Sequence, residues 1–156
     1  MKTTDRVTLT GRITATLRDA KTGRIIKIVR KNNIVVTTGK DAVAARLAGD
    51  TAVANRGEIT FGAVGTGTTA PAFGDTTLET EFFRKVLALR QSLDNVTTLQ
   101  LFLNTSEGNT TLKEFGLFGE DASATPDSGT MFNRVNIDIV KTASNTLTIE
   151  VELTVN

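Results

Sequence analysis

The order of apolar and polar residues along the chain predicts a protein built mainly from β-strands. Residues alternate between apolar and polar from Arg6 to Arg18. The apolar positions of this segment share one face: Val7, Leu9, Ile13, Ala15 and Leu17. A period of two over a dozen residues is typical of a strand with one buried face. A turn with glycine follows at Asp19–Gly23, and Arg24–Val36 is rich in Ile and Val. These segments predict a β-hairpin over residues 6–36.

A single short helix is predicted after the hairpin. Thr38–Asp41 resembles a capping box, in which the Thr hydroxyl accepts from the Asp amide and the carboxylate reaches back. Ala-rich residues up to Leu47 continue the helix, and Gly49 is suited to the position just beyond its end.

The rest of the chain predicts further short strands separated by turns. They are Glu58–Val64, Phe83–Ser92, Val96–Asn104, Leu112–Phe118, Thr130–Val140 and a final alternating strand from Leu147 to Val155. With the hairpin this makes about eight strands, at the regular spacing of sandwiches and barrels. Neither a linker nor an internal repeat is visible. The predicted fold is therefore one mainly β domain over residues 1–156, an antiparallel β-sandwich or barrel with one short helix.

The composition supports β structure and excludes several kinds of chemistry. Thr makes up 28 of the 156 residues, and its branched side chain suits the solvent face of strands. The chain has no Cys and no His, which excludes disulfides, thiolate zinc sites and Ser-His-Asp hydrolases. No apolar run is long enough to span a membrane, and Met1–Asp5 has no apolar signal region. Synthesis in a cytoplasm and no membrane association are the expectations.

Charge is distributed unevenly along the chain. Met1–Lys40 carries ten basic and two acidic residues, a net +8, whereas the remainder carries eight basic and fifteen acidic residues, a net −7. This asymmetry fits a nucleic-acid arm, a protein-docking surface or a solvated basic face. No Tyr or Trp is present to stack on bases, so no nucleic-acid partner is expected. We predict protein docking by the outward side chains of the hairpin: Arg12, Lys21, Arg24, Lys27, Arg30 and Lys31.

Two sequence patterns that occur in enzyme active sites are better explained here by structural roles. Gly65–Ala70 matches G-x-G-x-x-A, but Pro71 and the polar residues after it give no helix to hold a phosphate. Gly65, Gly67 and Pro71 are therefore predicted to shape a structural loop. Paired carboxylates such as Glu150 and Glu152 alternate with apolar residues on a strand and are predicted to face solvent. A calcium site from Asp121 and Asp127 would lack EF-hand spacing. We expect no catalytic residues, no cofactor and no metal.

The most distinctive stretch is Glu114–Gly119, with the sequence EFGLFG. Gly116, Leu117 and Phe118 predict a strand in which the glycine permits close approach of another backbone. Arg84 and Arg134 lie in apolar strand contexts and are predicted structural arginines. A partly buried guanidinium needs a carboxylate partner, and Glu114 is the candidate.

Together these segments resemble small tailed-bacteriophage virion proteins and the N-terminal attachment domains of phage tail fibres. The resemblance covers Asn32–Asn156. Its motifs are NNIVVTTGKDAVAARLAG, ITFGAVGTGTTAPAFGDTTLETEFFR, TLKEFGLFG and MFNRVNIDIVK. The family shares a GtGttaP-type loop, a Leu-x-x-Glu-x-x-Arg segment and a Glu-x-Gly-Leu-Phe strand. Here the middle segment reads Leu78-Glu79-Thr80-Glu81-Phe82-Phe83-Arg84.

The resemblance implies a β-rich, non-enzymatic part of a virion, made in the host cytoplasm. A capsid decoration or cement protein is the first placement, because the chain shows no repetitive shaft. A tail-fibre, baseplate or neck adaptor component is the second, and a cellular β-sandwich binding module is a more distant alternative. The implied partners are the major capsid protein or tail and baseplate proteins. The implied assembly is a homo-oligomer, with the trimer of related tail proteins as the analogy.

Overall fold

A computed structural model describes residues 6–156, in which nine antiparallel strands form a single curled sheet, a half-barrel. The predicted fold class is confirmed: 52% of the residues are in strands and 7% are helical. The elements are β1 Leu9–Asp19, β2 Ile25–Val35, α1 Thr37–Leu47, β3 Ile59–Gly65, β4 Glu81–Val86, β5 Leu89–Leu93, β6 Val96–Leu103, β7 Thr111–Gly119, β8 Thr130–Val140 and β9 Asn145–Val155.

The strand order is β4-β3-β7-β8-β2-β1-β9-β6-β5, so the sheet has two parts. We call β2, β1, β9, β6 and β5 the hairpin half, and β8, β7, β3 and β4 the motif half. The halves are joined through a short ladder in which Ile34 pairs with Arg134 and Val35 with Asn133. From this junction β2 and β8 diverge, which curls the sheet.

The halves are also joined at a corner that the sequence did not reveal. Phe83–Ser92 was predicted as one strand, but the chain turns at Leu87 and Ala88, so that β4 pairs with β3 and β5 pairs with β6. The Leu87 amide donates to the Thr60 carbonyl, and the Ala88 amide donates to the Gln100 carbonyl. Leu87 is buried, so the turn is held by the core as well as by hydrogen bonds. One predicted strand therefore becomes two.

The core lies inside the curl and takes alternate residues from both halves. Ile13, Ala15 and Leu17 of β1 are buried as the alternation predicted, and Leu147 to Leu153 of β9 follow the same pattern. Phe115 and Leu117 of β7 close the core from the other side. Burying a side chain of this size contributes roughly 1.5–3 kcal/mol.

The helix forms near the predicted place but begins differently. Its N-cap is Val36, and no side chain caps it. The predicted capping box is wrong because the Thr38 hydroxyl donates to the Met131 carbonyl of β8, 2.7 Å away. Gly39 packs against the Phe132 backbone, where a β-carbon would not fit. Within residues 6–156 no helix is both long enough and apolar enough to cross a lipid bilayer.

Candidate functional site

The loop after β3 folds over a buried carboxylate. Glu114 of β7 is fully buried. Its Oε1 accepts hydrogen bonds from the amides of Gly67 (3.0 Å) and Thr80 (2.8 Å), and its Oε2 accepts from the amide of Glu79 (3.0 Å). The two ends of the loop 66–80 are therefore held by one side chain.

Arg134 of β8 completes this arrangement, which we call the Glu114 cluster (Glu114, Arg134, Asp75, Gly67 and Thr80). The Nε and Nη2 of Arg134 donate to Glu114 Oε2 at 3.1 and 2.8 Å, and the Nη1 of Arg134 donates to Asp75 at 2.7 Å. Arg134 thus pairs with the carboxylate that the sequence suggested. Burial lowers the pKa of Arg134, but the hydrogen bonds that it donates to Asp75 and Glu114 outweigh this, so the net pKa is raised.

The glycines of the loop are required by close approach to this cluster. A β-carbon on Gly67 would lie 2.5 Å from Glu114 Oε1 and 2.5 Å from Glu79 Cβ. A β-carbon on Gly65 would lie 2.5 Å from the same carboxylate oxygen and would also meet the Thr80 carbonyl. The segment 66–80 contains no helix, so the G-x-G-x-x-A pattern here holds a carboxylate of its own chain.

Arg84 has a different partner from the one expected. Its Nε and Nη2 donate to the two carboxylate oxygens of Glu81 at 2.6 and 2.7 Å, and both side chains are buried. The Glu114 assignment is therefore wrong for Arg84, because Glu81 begins the same strand and lies three residues away. The guanidinium also donates to Ser128 and lies 4.6 Å from the Phe118 ring centroid. This pair holds the loop 120–129 against β4.

The other residues of the predicted motif have packing positions. Leu117 and Phe118 are fully buried, on opposite faces of β7. Gly116 lies against the Asn133 carbonyl, 3.0 Å from where its β-carbon would be, and pairs with Arg134. Pro71 is half-buried in the loop. Each of these contacts is made within the chain.

The acidic side chains outside the pairs with Arg134 and Arg84 either form other contacts within the chain or lie apart from one another. Glu79 accepts from the amide and hydroxyl of Thr69 at 2.7 Å each, and these hydrogen bonds lower its pKa. Glu120 pairs with Arg56 at 3.2 Å. Glu150 and Glu152 lie on the outer face of β9, as predicted. Among residues 6–156, no group of three or more acidic side chains is arranged to hold a metal ion.

The basic hairpin is the second candidate region, and its six predicted docking residues fall in three places. Arg12 and Arg30 face outward from the sheet. Lys21 and Arg24 flank the turn. Lys27 and Lys31 pair with the buried residues Leu17 and Ile13 and so lie on the core-facing side of the sheet, but both side chains are exposed. Lys2 and Asp5, which also count in the charge of this segment, lie outside the described residues.

β2 is exposed along most of its length. In the part of the chain described, it pairs with β8 at Ile34 and Val35 only, so its edge from Ile25 to Asn33 is unpaired. Ile25, Ile26 and Ile28 are 45%, 48% and 38% exposed. Lys27 bridges the gap to β8, where its Nζ donates to the Asp138 carbonyl at 2.6 Å. We call Lys21, Arg24, Ile25, Ile26, Lys27 and Lys31 the hairpin edge.

Two open clefts were not foreseen from the sequence. One, of about 560 Å³, lies where β1, β2 and α1 meet, and Arg12, Lys40 and Phe73 line it. The Asn33 amide packs over Gly11 beside this cleft, and within residues 6–156 neither of its polar atoms has a hydrogen-bond partner. The other, of about 660 Å³, lies between α1 and β5 and has mixed apolar and charged walls.

A buried lysine at the end of β8 was also missed. Lys141 is 1% exposed, and its Nζ donates to the Asn104 carbonyl (2.6 Å) and to Asn109 Oδ1 (2.9 Å). Burial lowers its pKa, although the nearby Glu107 acts in the opposite direction. Lys141 fixes the loop between β6 and β7. A lysine directly after an apolar strand is too common a pattern to predict this.

No protein-family model, curated protein or solved structure matches the chain.

Proposed function

We propose that this chain is a non-enzymatic structural protein of a bacteriophage virion, and that it docks onto other virion proteins through its hairpin edge. Capsid decoration is the first placement, and a tail or baseplate position is the second. The motif resemblance suggests the virion, and the geometry of β2 supports a docking role.

The observation that carries the proposal is the unpaired edge of β2. Three isoleucines are exposed within four residues, next to four basic side chains. Soluble monomers avoid long apolar strand edges, because such edges pair with other chains. Inward-facing lysines such as Lys27 and Lys31 discourage indiscriminate pairing. An acidic partner strand would neutralise them, which makes the edge selective for acidic protein surfaces.

The arrangement of the carboxylates supports a structural role over a catalytic one. A general acid or base needs a carboxylate that can reach a substrate. Glu114 and Glu81 are buried in ion pairs that hold loops, and Glu120 is buried beside Arg56. The motifs with the greatest resemblance to virion proteins thus form the internal framework, while the hairpin edge is left for contacts.

The experiment is to follow the chain in purified particles of the phage that encodes it. The variant Lys21→Glu with Arg24→Glu is compared with the wild type by quantitative mass spectrometry. We expect the wild type at a fixed copy number per particle and a reduced copy number for the variant. Attachment of the wild type should weaken as salt rises towards molar concentration, since salt screens exposed charges.

The matched control is Arg6→Glu with Arg90→Glu, which makes the same change in net charge at exposed positions outside the hairpin edge. It should leave the copy number unchanged. Absence of the wild-type chain from purified particles would contradict the virion role. A normal copy number for the hairpin variant would instead show that docking uses another surface.

A further inference from the structure

The outer face of the hairpin half has a pattern that the docking role does not use. Directly paired residues of neighbouring strands share a face of the sheet. Since Ile13, Ala15 and Leu17 face the core, their neighbours on β1 face outward together with their partners on β2, β9 and β6. We call this surface the threonine face, because Thr residues of β1 and β9 occupy its centre.

Charge is divided across the threonine face. Arg12 and Arg30 lie on the β1–β2 side, and Glu150 and Glu152 lie on β9. Arg12 is directly opposite Glu152 in the ladder, yet among the described residues neither side chain forms an ion pair within 4.0 Å. Both side chains are exposed and free to contact another molecule.

A row is the set of directly paired residues across β2, β1, β9 and β6, and one row has exposed apolar residues at both ends. The ladder aligns Ile28 of β2 with Thr16 of β1, Thr148 of β9 and Phe102 of β6. Ile28 and Phe102 are each 38% exposed. The row is therefore apolar at both ends with small hydroxyl side chains between them.

We propose that the threonine face binds a second copy of this chain about a two-fold axis that runs along the strands between β1 and β9. This rotation places each row of paired residues of one copy opposite the same row of the other copy. In the dimer, β1 lies over β9 and β2 lies over β6. Arg12 then faces Glu152 of the partner subunit, and Glu152 faces Arg12 of the partner subunit. Ile28 meets Phe102 of the partner subunit, Arg30 faces Gln100 of the partner subunit, and Glu150 faces Thr14 of the partner subunit.

The dimensions of the face set the expected strength of the dimer. Four strands about 4.8 Å apart and four rows about 6.8 Å apart cover roughly 500 Å² on each copy. The total of about 1,000 Å² is at the lower limit for a specific interface. The dimer therefore forms reversibly and depends on concentration. An interface in which the same surface serves both copies closes at two subunits, unlike the trimer that the resemblance implies.

The inference is independent of the virion role, and charge reversal tests it. Light scattering should give a mass that rises from 16.7 kDa towards twice that value with concentration. Arg12→Glu and Glu152→Arg each place like charges across the axis, so each variant alone should bind itself at least about tenfold more weakly. An equimolar mixture of the two variants places opposite charges across the axis and should restore dimers.

The mixture excludes an effect within one subunit, since each chain in it still carries its own substitution. Circular dichroism verifies that both variants are folded. A wild type that stays at 16.7 kDa up to millimolar concentration would overturn the proposal. Single variants that dimerise like the wild type, or a mixture that stays monomeric, would do the same.

A second measurement leaves the charges intact. The chain has no Cys, so an introduced thiol is the only one present. Thr16→Cys and Thr148→Cys lie opposite each other across the axis. A short bismaleimide suited to the roughly 10 Å between packed sheets should link the mixed variants into a covalent dimer. Thr125→Cys, in the exposed loop 120–129 of the motif half, is the control and should give no product by itself. Equal yields from the mixture and from Thr125→Cys alone would contradict the proposed axis.

Discussion

The Glu114 cluster and the hairpin edge use the same kinds of side chain in opposite ways. In the cluster, Arg134 and Glu114 are removed from water and every contact is made within the chain. At the hairpin edge, Lys21 and Arg24 are exposed beside isoleucines that are themselves partly exposed.

The difference shows how burial determines whether a charged side chain affects mainly folding or mainly association. A buried ion pair contributes little net stability relative to apolar packing, but breaking it is costly, so it selects one loop conformation. An exposed charge contributes little to folding and instead affects association and orientation. The motif half therefore holds the buried ion pairs, and the hairpin half carries the exposed surfaces for which we propose contacts.

The largest expected effect comes from removing the charge of Glu114. Glu114→Gln leaves Arg134 short of a buried partner and places an amide nitrogen among donors. We expect a loss of about 3–5 kcal/mol in the free energy of unfolding, measured by urea denaturation. The matched control is Glu150→Gln on the hairpin half, with a change within about 0.5 kcal/mol. Equal losses in the free energy of unfolding at Glu114 and Glu150 would show that the buried and the exposed carboxylate contribute alike to stability, which contradicts this comparison.

A smaller effect is expected from filling the space beneath the loop. Gly67→Ala forces a β-carbon against Glu114 and Glu79, and crowding of this kind costs about 1–3 kcal/mol. Gly74→Ala in the same loop meets no atom within 4 Å and should be nearly neutral. Thermal unfolding of both variants checks this. A neutral Gly67→Ala would mean that the loop adjusts without disturbing the cluster.

The smallest effect concerns pH. Burial raises the pKa of Asp75, but hydrogen bonds from the Ala72 amide and Arg134 outweigh it, so the net pKa is lowered. A carboxyl with a lowered folded pKa stabilises the fold above its unfolded pKa of about 3.9, and this contribution is lost as pH falls through the folded value. Asp75→Asn should therefore be less stable than wild type at pH 7 by about 1 kcal/mol or less. The gap should close by about pH 2, and a gap that does not change with pH would exclude the charge as its cause.

Period-two alternation made the strands predictable, whereas most of the close contacts did not follow from the sequence. β1 and β9 were foreseen because one face of each is buried along its whole length. The corner at Leu87 was not, since an apolar run gives no sign of where a strand changes partner. Arg134 with Glu114 was foreseen because an arginine among apolar residues needs a carboxylate. The three amides that share Glu114 depend on the path of a loop, which periodicity does not describe.

The position of β9 has a consequence for the order of folding. β9 lies between β1 and β6, so the strand nearest one end of the chain pairs with the strand nearest the other. The β1–β2 and β5–β6 hairpins can form locally, but they cannot join until β9 has left the ribosome. The entropic cost of closing so long a loop is incurred before the pairing of β1 with β9 gives any stabilisation, and this slows folding. A nascent chain therefore exposes two separate hairpins, each with an unpaired edge on β1 or β6. Both of these strands pair with β9, so the hairpins become parts of one sheet only after β9 has been synthesised.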